Sequence, residues 1–173
     1  MNATLEVLKT RRSCRKYLPE QIKSEELDAI LEAGTYAPTG MGKQSPIIVA
    51  VQDKETVVKL SKMNAAVMGN NSDPFYGAPT VLVVLADKNI STALEDGALV
   101  MGNLMNAAHA VGVDSCFIYR AKQMFETQEG KELLRQWGIK GDYVGVGNCI
   151  LGYATPGGVA AAAPRKANYI VKV

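Results

Sequence analysis

The sequence predicts one globular domain in which helices and strands are mixed, and three observations support that prediction. The chain has 173 residues, of which 47% are hydrophobic and 21% charged, a composition typical of a globular protein with a sizeable core. The segment TVLVVLAD, residues 80–87, is almost continuously apolar, which is typical of a central strand. Other segments carry apolar residues at helical spacing, and the sequence has no internal repeat.

Helices and one strand are predicted in the first half of the chain. Ser24 is a candidate N-cap, and the acidic residues that follow it suit the positive end of a helix. The segment IIVAVQ is rich in β-branched residues, which favours a strand, whereas APTGMGKQSP is typical of a loop. The predicted elements are helices over 3–12, 24–36 and 53–67 and a strand over 47–52.

The second half is predicted to contain three strands and two helices. Thr92 and Glu95 form a capping-box pattern at the start of a long helix. The small residues of that helix would let another backbone approach closely; they are Gly97, Ala98, Gly102, Ala107 and Ala108. The predicted elements are strands over 80–87, 113–118 and 143–153 and helices over 92–111 and 123–137, followed by an alanine-rich extension and the strand-like segment NYIVKV.

Composition argues against several classes of protein. The net charge of +2 does not suggest a general nucleic-acid binder. Cys14, Cys116 and Cys149 are widely spaced and form no CxxC pair, so neither a disulfide framework nor a zinc site is indicated. The first residues lack the apolar run of a signal peptide, and APTVLVVLA is too short to cross a bilayer. We therefore expect a cytoplasmic protein with no metal and no membrane or nucleic-acid partner.

Groups suited to acid–base or nucleophilic catalysis are scarce. His109 is the one histidine, and its place inside the long helix favours a structural role. The segment GKQS fails as a phosphate-binding P-loop, because Ala37 and Gln44 stand where glycine and a hydroxyl residue are needed. The segment GVGNCILG is not followed by a helix, so a dinucleotide fold is not indicated. This profile suits a protein that holds a cofactor and leaves the chemistry to it.

The segment TRRSCRKY concentrates positive charge at Arg11, Arg12, Arg15 and Lys16. One interpretation is a solvated charge run that complements the negative end of a helix. A nucleic-acid arm is a second, although aromatic residues are not interleaved with the cations. The third is a phosphate site, where arginine forks form charge-assisted hydrogen bonds of about 1.5–3 kcal/mol each.

The segment RRSCRKYLPEQIKSEELDAILEAGTYAPTGMGKQSPIIVAV resembles the opening of the FMN-dependent nitroreductase family. Three later stretches are similar to that family too: GAPTVLVV, the helix DGALVMGNLMNAAHAVGVDSCFI, and GNCILGYATPGG followed by PRKANY. The resemblance implies a small nitroreductase-like protein. The implied fold is α+β, with a mixed, mostly antiparallel sheet flanked by helices in three layers.

The resemblance also implies assembly and activity. We expect a homodimer with two FMN sites at the subunit interface. NADH or NADPH would be the co-substrate, and nitro compounds, quinones or similar small oxidants would be reduced by a ping-pong mechanism. The alternative is a flavin-binding or regulatory module without significant turnover. Residues 1–153 would form the flavin-binding domain, and residues 154–173 a C-terminal extension exchanged onto the partner subunit.

The residues that would hold the flavin follow from the same resemblance, and no side chain is expected to be catalytic because the flavin carries the chemistry. The basic cluster would hold the phosphate, ribityl chain or ring edge, with tail cations closing over the phosphate. The loop at 38–44 would approach the ring from the partner, and backbone groups after the third strand would meet flavin N5. The predicted cofactor-binding residues are Arg11, Arg12, Ser13, Arg15, Pro38, Thr39, Gly40, Gly42, Gln44, Asn71, Ile118, Tyr119, Arg165 and Lys166. Asn64 and Asn70 are rivals of Asn71 for an amide contact with the flavin.

The loop after the second helix departs from the family pattern. Gly42 stands where the family has asparagine, Thr39 replaces the usual serine, and Ser45-Pro46 follows Gln44 in place of Pro-Trp. The loop keeps its backbone donors but loses side-chain contacts. The sequence therefore leaves the oxidant, and the choice between NADH and NADPH, open.

Overall fold

The computed structural model describes residues 2–173, which form a four-stranded sheet flanked by six α-helices. A short 3₁₀ turn, Gly40–Gly42, precedes the first strand. The helices are α1 (Ala3–Thr10), α2 (Ser24–Thr35), α3 (Lys54–Met68), α4 (Ala93–Ala110), α5 (Ala121–Glu126) and α6 (Gln128–Gln136). The strands are β1 (Pro46–Val51), β2 (Thr80–Asp87), β3 (Asp114–Ile118) and β4 (Tyr143–Gly152).

The strands lie in the order β1-β2-β4-β3, and each neighbouring pair is antiparallel. Strand β2 is central, as its apolar run predicts, and its residues 81–86 are fully buried. The parallel contribution among the described residues is an isolated bridge between Ser13 and Ser115 at the β3 edge. Strands β1 and β3 are thus the two edges of the sheet, and they lie roughly 14 Å apart at the usual strand spacing.

Two hydrophobic cores lie on opposite faces of the sheet, which makes the fold three-layered. Because side chains alternate along a strand, Val81, Val83 and Leu85 face the layer of α3, α5 and α6. The intervening residues of β2 face the layer of α2 and α4. These findings confirm the predicted α+β fold class with helices on both faces.

Three local expectations are wrong. Lys23, not Ser24, is the N-cap of α2. The Thr92 side chain does not cap α4; its hydroxyl donates to Asp96 instead. The helix predicted over 123–137 is two helices, because Thr127 starts a new one by accepting a hydrogen bond from the N–H of Gly130. A Cβ at Gly130 would overlap the carbonyl oxygen of Met124, so this tight junction requires glycine.

The N-terminal segment, residues 13–18, runs along the β3 edge between that strand and residues 153–159. The N–H of Cys14 donates to the carbonyl of Ser115 at 2.9 Å, and the N–H of Arg15 donates to the carbonyl of Gly158 at 3.1 Å. Helix α1, which precedes it, contacts α4 through Thr10 Oγ1 and His109 Nε2 at 2.8 Å, so His109 has the expected structural contact. The N-terminal segment and residues 153–159 are therefore hydrogen-bonded to each other along one edge of the sheet.

Residues 160–173, which we call the tail, are exposed along their whole length. The strand-like segment NYIVKV forms no strand within the described chain, and its residues Tyr169, Ile170, Val171 and Val173 are all exposed. None of the helices in residues 2–173 is long and apolar enough to cross a membrane.

Candidate functional site

A cavity of about 400 Å³ opens at the end of β3, beside the N-terminal segment. Arg15 lines it from that segment, Ser72 and Asp73 line it from the loop after α3, and residues 118–120 line it from the end of β3. Three of the predicted site residues, Arg15, Ile118 and Tyr119, are thus brought together although they are about a hundred positions apart in sequence. We call this space the β3 cavity.

The arginines of the basic cluster have different surroundings. The Nη1 atom of Arg11 is buried and has no hydrogen-bond partner among the described residues. The Nη1 atom of Arg12 donates to the carbonyls of Lys9, at 2.8 Å, and of Arg11, so Arg12 closes the end of α1. Arg15 is exposed at the cavity. The structure therefore leaves Arg11 and Arg15 available to an anion and engages Arg12 with the backbone.

Two serines pair at the β3 edge: Ser13, two positions after Arg11 in the sequence, and Ser115 of β3. Ser13 is half-buried and forms the bridge to Ser115. The Oγ atom of Ser115 is buried and, like Arg11 Nη1, has no partner within residues 2–173. Unsatisfied buried polar atoms are uncommon in proteins, and each calls for a specific cause such as a missing ligand or water.

The three candidate asparagines differ in their partners. Asn64 is fully buried, and its Nδ2 donates to the carbonyl of Tyr119 at 2.7 Å. The Oδ1 atom of Asn70 accepts from the N–H and hydroxyl of Ser72. Asn71 is exposed, has no hydrogen bond to the described residues, and borders an adjacent cavity of about 500 Å³. Asn64 therefore lies beneath the cavity wall, while Asn71 remains free to meet a ligand.

The loop at 38–44 lies at the opposite edge of the sheet, directly before β1. The buried carboxylate of Asp96 holds it: Oδ1 accepts from the N–H of Gly40 at 2.8 Å, and Oδ2 accepts from the hydroxyls of Ser45 at 3.0 Å and Thr92 at 3.1 Å. These hydrogen bonds, above all that from Gly40, lower the pKa of the Asp96 carboxyl. A Cβ at Gly40 would overlap the Thr92 hydroxyl, so the close approach requires glycine.

The predicted residues at the tip of this loop have unusual backbone angles or local contacts. Gly42 and Gln44 have φ values of 64° and 50°, in the left-handed region. The N–H of Gln44 donates to the hydroxyl of Thr39 at 3.0 Å, while Pro38 is exposed. The loop is thus shaped by its own hydrogen bonds and by Asp96, and it does not reach the β3 cavity of the same chain.

The two predicted tail cations are also apart from the β3 cavity. Arg165 donates to the carbonyl of Ala163 at 2.6 Å, and the Lys166 ammonium lies 5.3 Å from the ring centre of Tyr169. Both are exposed. One chain therefore presents the predicted site in three parts: the β3 cavity, the loop at the β1 edge, and the tail.

Sequence reasoning missed several residues that shape these parts. Arg120 lines the β3 cavity as a second cation beside Arg15. Asp73 fixes the loop that borders the cavity, because its carboxylate accepts from the N–H groups of Phe75 and Gly77 and from the hydroxyl of Ser61. The only sequence signal for Asp73 was a turn-forming Ser-Asp-Pro triplet, and Arg120 had none.

The cysteines do not offer a nucleophile. All three are buried free thiols, and Cys116 borders the β3 cavity. Burial raises the pKa of Cys149 to about 12 and also raises the pKa of Cys14, so both thiols are protonated near neutral pH. Within residues 2–173 no cluster of three His, Cys, Asp or Glu side chains is placed to hold a metal ion.

Comparison with known proteins identifies the protein family to which this chain belongs. The model of the Nitroreductase family matches residues 8–71. A candidate NADH dehydrogenase/NAD(P)H nitroreductase of Archaeoglobus fulgidus is 30% identical over 123 residues, which cover 68% of each protein. The FMN reductase [NAD(P)H] of Bacillus subtilis is 36% identical over 98 residues, 56% of this chain and 37% of that protein. The matches span about half the length of such curated relatives, from 37% to 68%.

A solved structure agrees over the whole chain. The nitroreductase of Bacteroides fragilis, whose crystal structure has bound FMN, superposes with a TM-score of 0.92 and 28% identity, covering 100% of both chains. This chain belongs to the nitroreductase family, and its fold is the nitroreductase fold.

Proposed function

We propose that this chain binds FMN and acts as an NAD(P)H-dependent oxidoreductase on nitro compounds, quinones or similar small oxidants. Membership of the nitroreductase family supports the proposal. So do the FMN bound in the Bacteroides fragilis relative and the nicotinamide dependence in the name of the Bacillus subtilis FMN reductase. Ping-pong kinetics are expected, because one cavity would serve both the nucleotide and the oxidant in turn.

The buried, unpartnered Nη1 of Arg11 carries the assignment of FMN. A guanidinium N–H without an acceptor is costly in a protein interior, and a phosphate oxygen would satisfy it with a charge-assisted hydrogen bond. The unpartnered Oγ of Ser115 lies across the Ser13 bridge in the same part of the fold. The residues present therefore fit a ligand that carries a phosphate.

The β3 cavity and the residues that border it have separate tasks in this proposal. Arg11 and Ser13 would bind the phosphate end, and Arg15 would place a positive charge at the ring edge. The free amide of Asn71 would orient the ring, and the segment 118–120 would offer backbone N–H groups to it. When bound, FMN supplies the redox chemistry by accepting and donating hydride. The chain itself contributes binding, orientation and electrostatic stabilisation.

A second copy of the chain would complete the site. The loop at 38–44 and the β3 cavity lie at opposite edges of the sheet, so the loop can contribute only to the site of another chain. Helix α4 exposes Leu94 and Leu99, each 48% accessible, and its Gly102 has open space around it, which suits a helix of the partner. We infer a homodimer in which the C-terminal extension, predicted to start at residue 154, pairs with its own chain up to Val159. The tail, residues 160–173, would then extend onto the partner and bring Arg165 and Lys166 to the phosphate.

Incubation of the purified protein with FMN tests the proposal. The protein should become yellow, release FMN on denaturation, and lose its colour with NADH or NADPH in the absence of oxygen. A steady-state screen of oxidants should then give parallel lines in double-reciprocal plots. A protein that stays colourless after incubation with FMN contradicts the proposal. A yellow protein that neither nucleotide bleaches is a flavin-binding module without this turnover.

A further inference from the structure

The side-chain amide of a buried asparagine forms a hydrogen bond to the turn at the end of β3. Asn64 lies on α3, fully buried, and its Nδ2 donates to the carbonyl of Tyr119 at 2.7 Å. Asn148 of β4, also fully buried, has its Nδ2 3.5 Å from the carbonyl of Ile118. Both amides also contact Met124 Sδ. The two carbonyls at the end of β3 therefore face buried amides and not the cavity.

Arg120, the next residue, has a conformation that a non-glycine residue adopts only with support. Its φ is 81° and its ψ is 6°, which is the left-handed region. Its Nε donates to the Oδ1 of Asn64 at 3.0 Å. Asn64 thus bonds to both sides of the strained position: to the carbonyl that precedes Arg120 and to the Arg120 side chain.

This arrangement leaves two adjacent backbone donors free. Among residues 2–173, the N–H groups of Tyr119 and Arg120 have no hydrogen-bond acceptor, and both residues line the β3 cavity. The Tyr119 side chain is 62% exposed, so the turn borders open space. Successive free N–H groups next to a left-handed residue are a known arrangement for binding anions and lone pairs.

We propose that Asn64 is a positioning residue for the ligand of the β3 cavity. It holds Arg120 in the left-handed conformation, so that the N–H groups of Tyr119 and Arg120 stay directed toward an electron-rich ligand edge. This inference rests on the proposed function, in which that ligand is FMN. Asn64 acts through the turn and does not touch the ligand.

A double-mutant cycle between positions 64 and 120 tests the inference. Asn64→Ala removes the support of the turn and should weaken FMN binding about tenfold, the worth of one or two hydrogen bonds. Arg120→Gly places at the turn the one residue that adopts positive φ without support. In the Arg120→Gly background, Asn64→Ala should therefore weaken binding less than about threefold. FMN affinity would be measured by quenching of flavin fluorescence, and the flavin absorption bands would report contacts to the ring.

The controls separate positioning from general packing. Met124→Leu keeps the volume beside both buried amides and should leave FMN affinity near that of the native protein. If Asn64→Ala does not fold, Asn64→Leu replaces it in the cycle, because it keeps the buried volume and lacks both hydrogen-bonding groups. Equal losses of affinity in the two backgrounds, or no loss in the native background, overturn the inference and leave FMN binding intact. Absence of FMN binding by the native protein overturns the proposed function itself, and the inference with it.

Discussion

The two edges of the sheet differ in whether their backbone and side-chain hydrogen-bond donors have acceptors. At the β1 edge the donors of the loop are satisfied: Gly40, Ser45 and Thr92 all donate to the one buried carboxylate of Asp96. At the β3 edge several donors have no acceptor among residues 2–173: the buried Nη1 of Arg11 and the N–H groups of residues 119 and 120. The donors of the loop at the β1 edge have their acceptor within the chain. The unpartnered donors at the β3 edge would gain acceptors only from a bound ligand.

In the proposed dimer, that difference would let one small chain supply two distinct surfaces of a shared site. A loop with its donors satisfied keeps its shape before any contact is made, so it can be presented to another chain at little entropic cost. An edge with unsatisfied donors gains most from a ligand that carries acceptors.

The largest effect is expected from removal of the tail. Truncation after Val159 keeps the hydrogen bond from the Arg15 N–H to the Gly158 carbonyl, so the β3 edge should retain its structure. We expect the dimer to weaken, because the truncation removes the exposed apolar residues of the tail. We also expect FMN affinity to fall, because the truncation removes both Arg165 and Lys166. Light scattering and flavin titration measure the two effects. The matched variant, Arg165→Ala with Lys166→Ala, should lower FMN affinity alone; a truncated protein that remains dimeric and fully loaded contradicts the assignment of the tail.

The next effect concerns the charge of the β3 cavity. Arg15→Ala should weaken FMN binding by about 1.5–3 kcal/mol, roughly tenfold to over a hundredfold, because a charge-assisted contact is lost. Lys16→Ala is the matched control: Lys16 is an exposed neighbouring cation that does not line the cavity. Titration of each apo-variant with FMN compares them, and equal losses would mean that only the net charge of the segment matters.

A substitution at the β1 edge is expected to change FMN affinity less than Arg15→Ala does, and to lower the thermal stability of the protein clearly. Asp96→Ala leaves three donors near Gly40 without their shared acceptor, so the thermal midpoint should fall by about 5–10 °C. Glu95→Ala removes an exposed carboxylate from the same helical turn and should change the midpoint little. Calorimetry of the apo-proteins measures both. An unchanged midpoint in Asp96→Ala would show that the loop is not fastened as described.

The smallest effect is a dependence on pH. The pKa of Asp96 is lowered in the folded protein, so its contribution is complete above the unfolded value, about 3.9, and is lost as the pH falls through the lower folded value. Glu26 shifts in the same direction because the Tyr153 hydroxyl donates to it, so the native protein alone does not isolate Asp96. The difference in stability between native protein and Asp96→Ala should therefore be constant from pH 5 to 7 and shrink below about pH 4. A difference that grows on acidification would reverse the sign and contradict the account.

Sequence patterns predicted the fold well where local signals were strong. The apolar run of β2 and the helical spacing of α3 placed both elements within a residue or two. The capping role expected of Thr92 was wrong because its hydroxyl is drawn to Asp96, which also serves a loop 56 positions earlier. A local pattern cannot report such a long-range partner.

The candidate site was predicted less completely for the same reason. The motif resemblance located Arg15, Ile118 and Tyr119, which the fold brings together. It did not distinguish Arg11 from Arg12, whose surroundings differ: the Nη1 of Arg11 is buried, whereas Arg12 donates to carbonyls at the end of α1. Asn64 was predicted only as a possible ligand contact; its bonds to residues 119 and 120 depend on how α3 packs against the end of β3.

The fastening of the N-terminal segment to residues 153–159 has a consequence for biosynthesis. The Gly158 carbonyl that accepts from the Arg15 N–H is synthesised more than 140 residues after Arg15. A pairing of such large sequence separation forms late in folding, after the sheet that it joins. The nascent chain would therefore carry an incomplete β3 edge until residue 158 has emerged. Limited proteolysis of stalled nascent chains should show the N-terminal segment, residues 13–18, protected only once residue 158 is outside the exit tunnel.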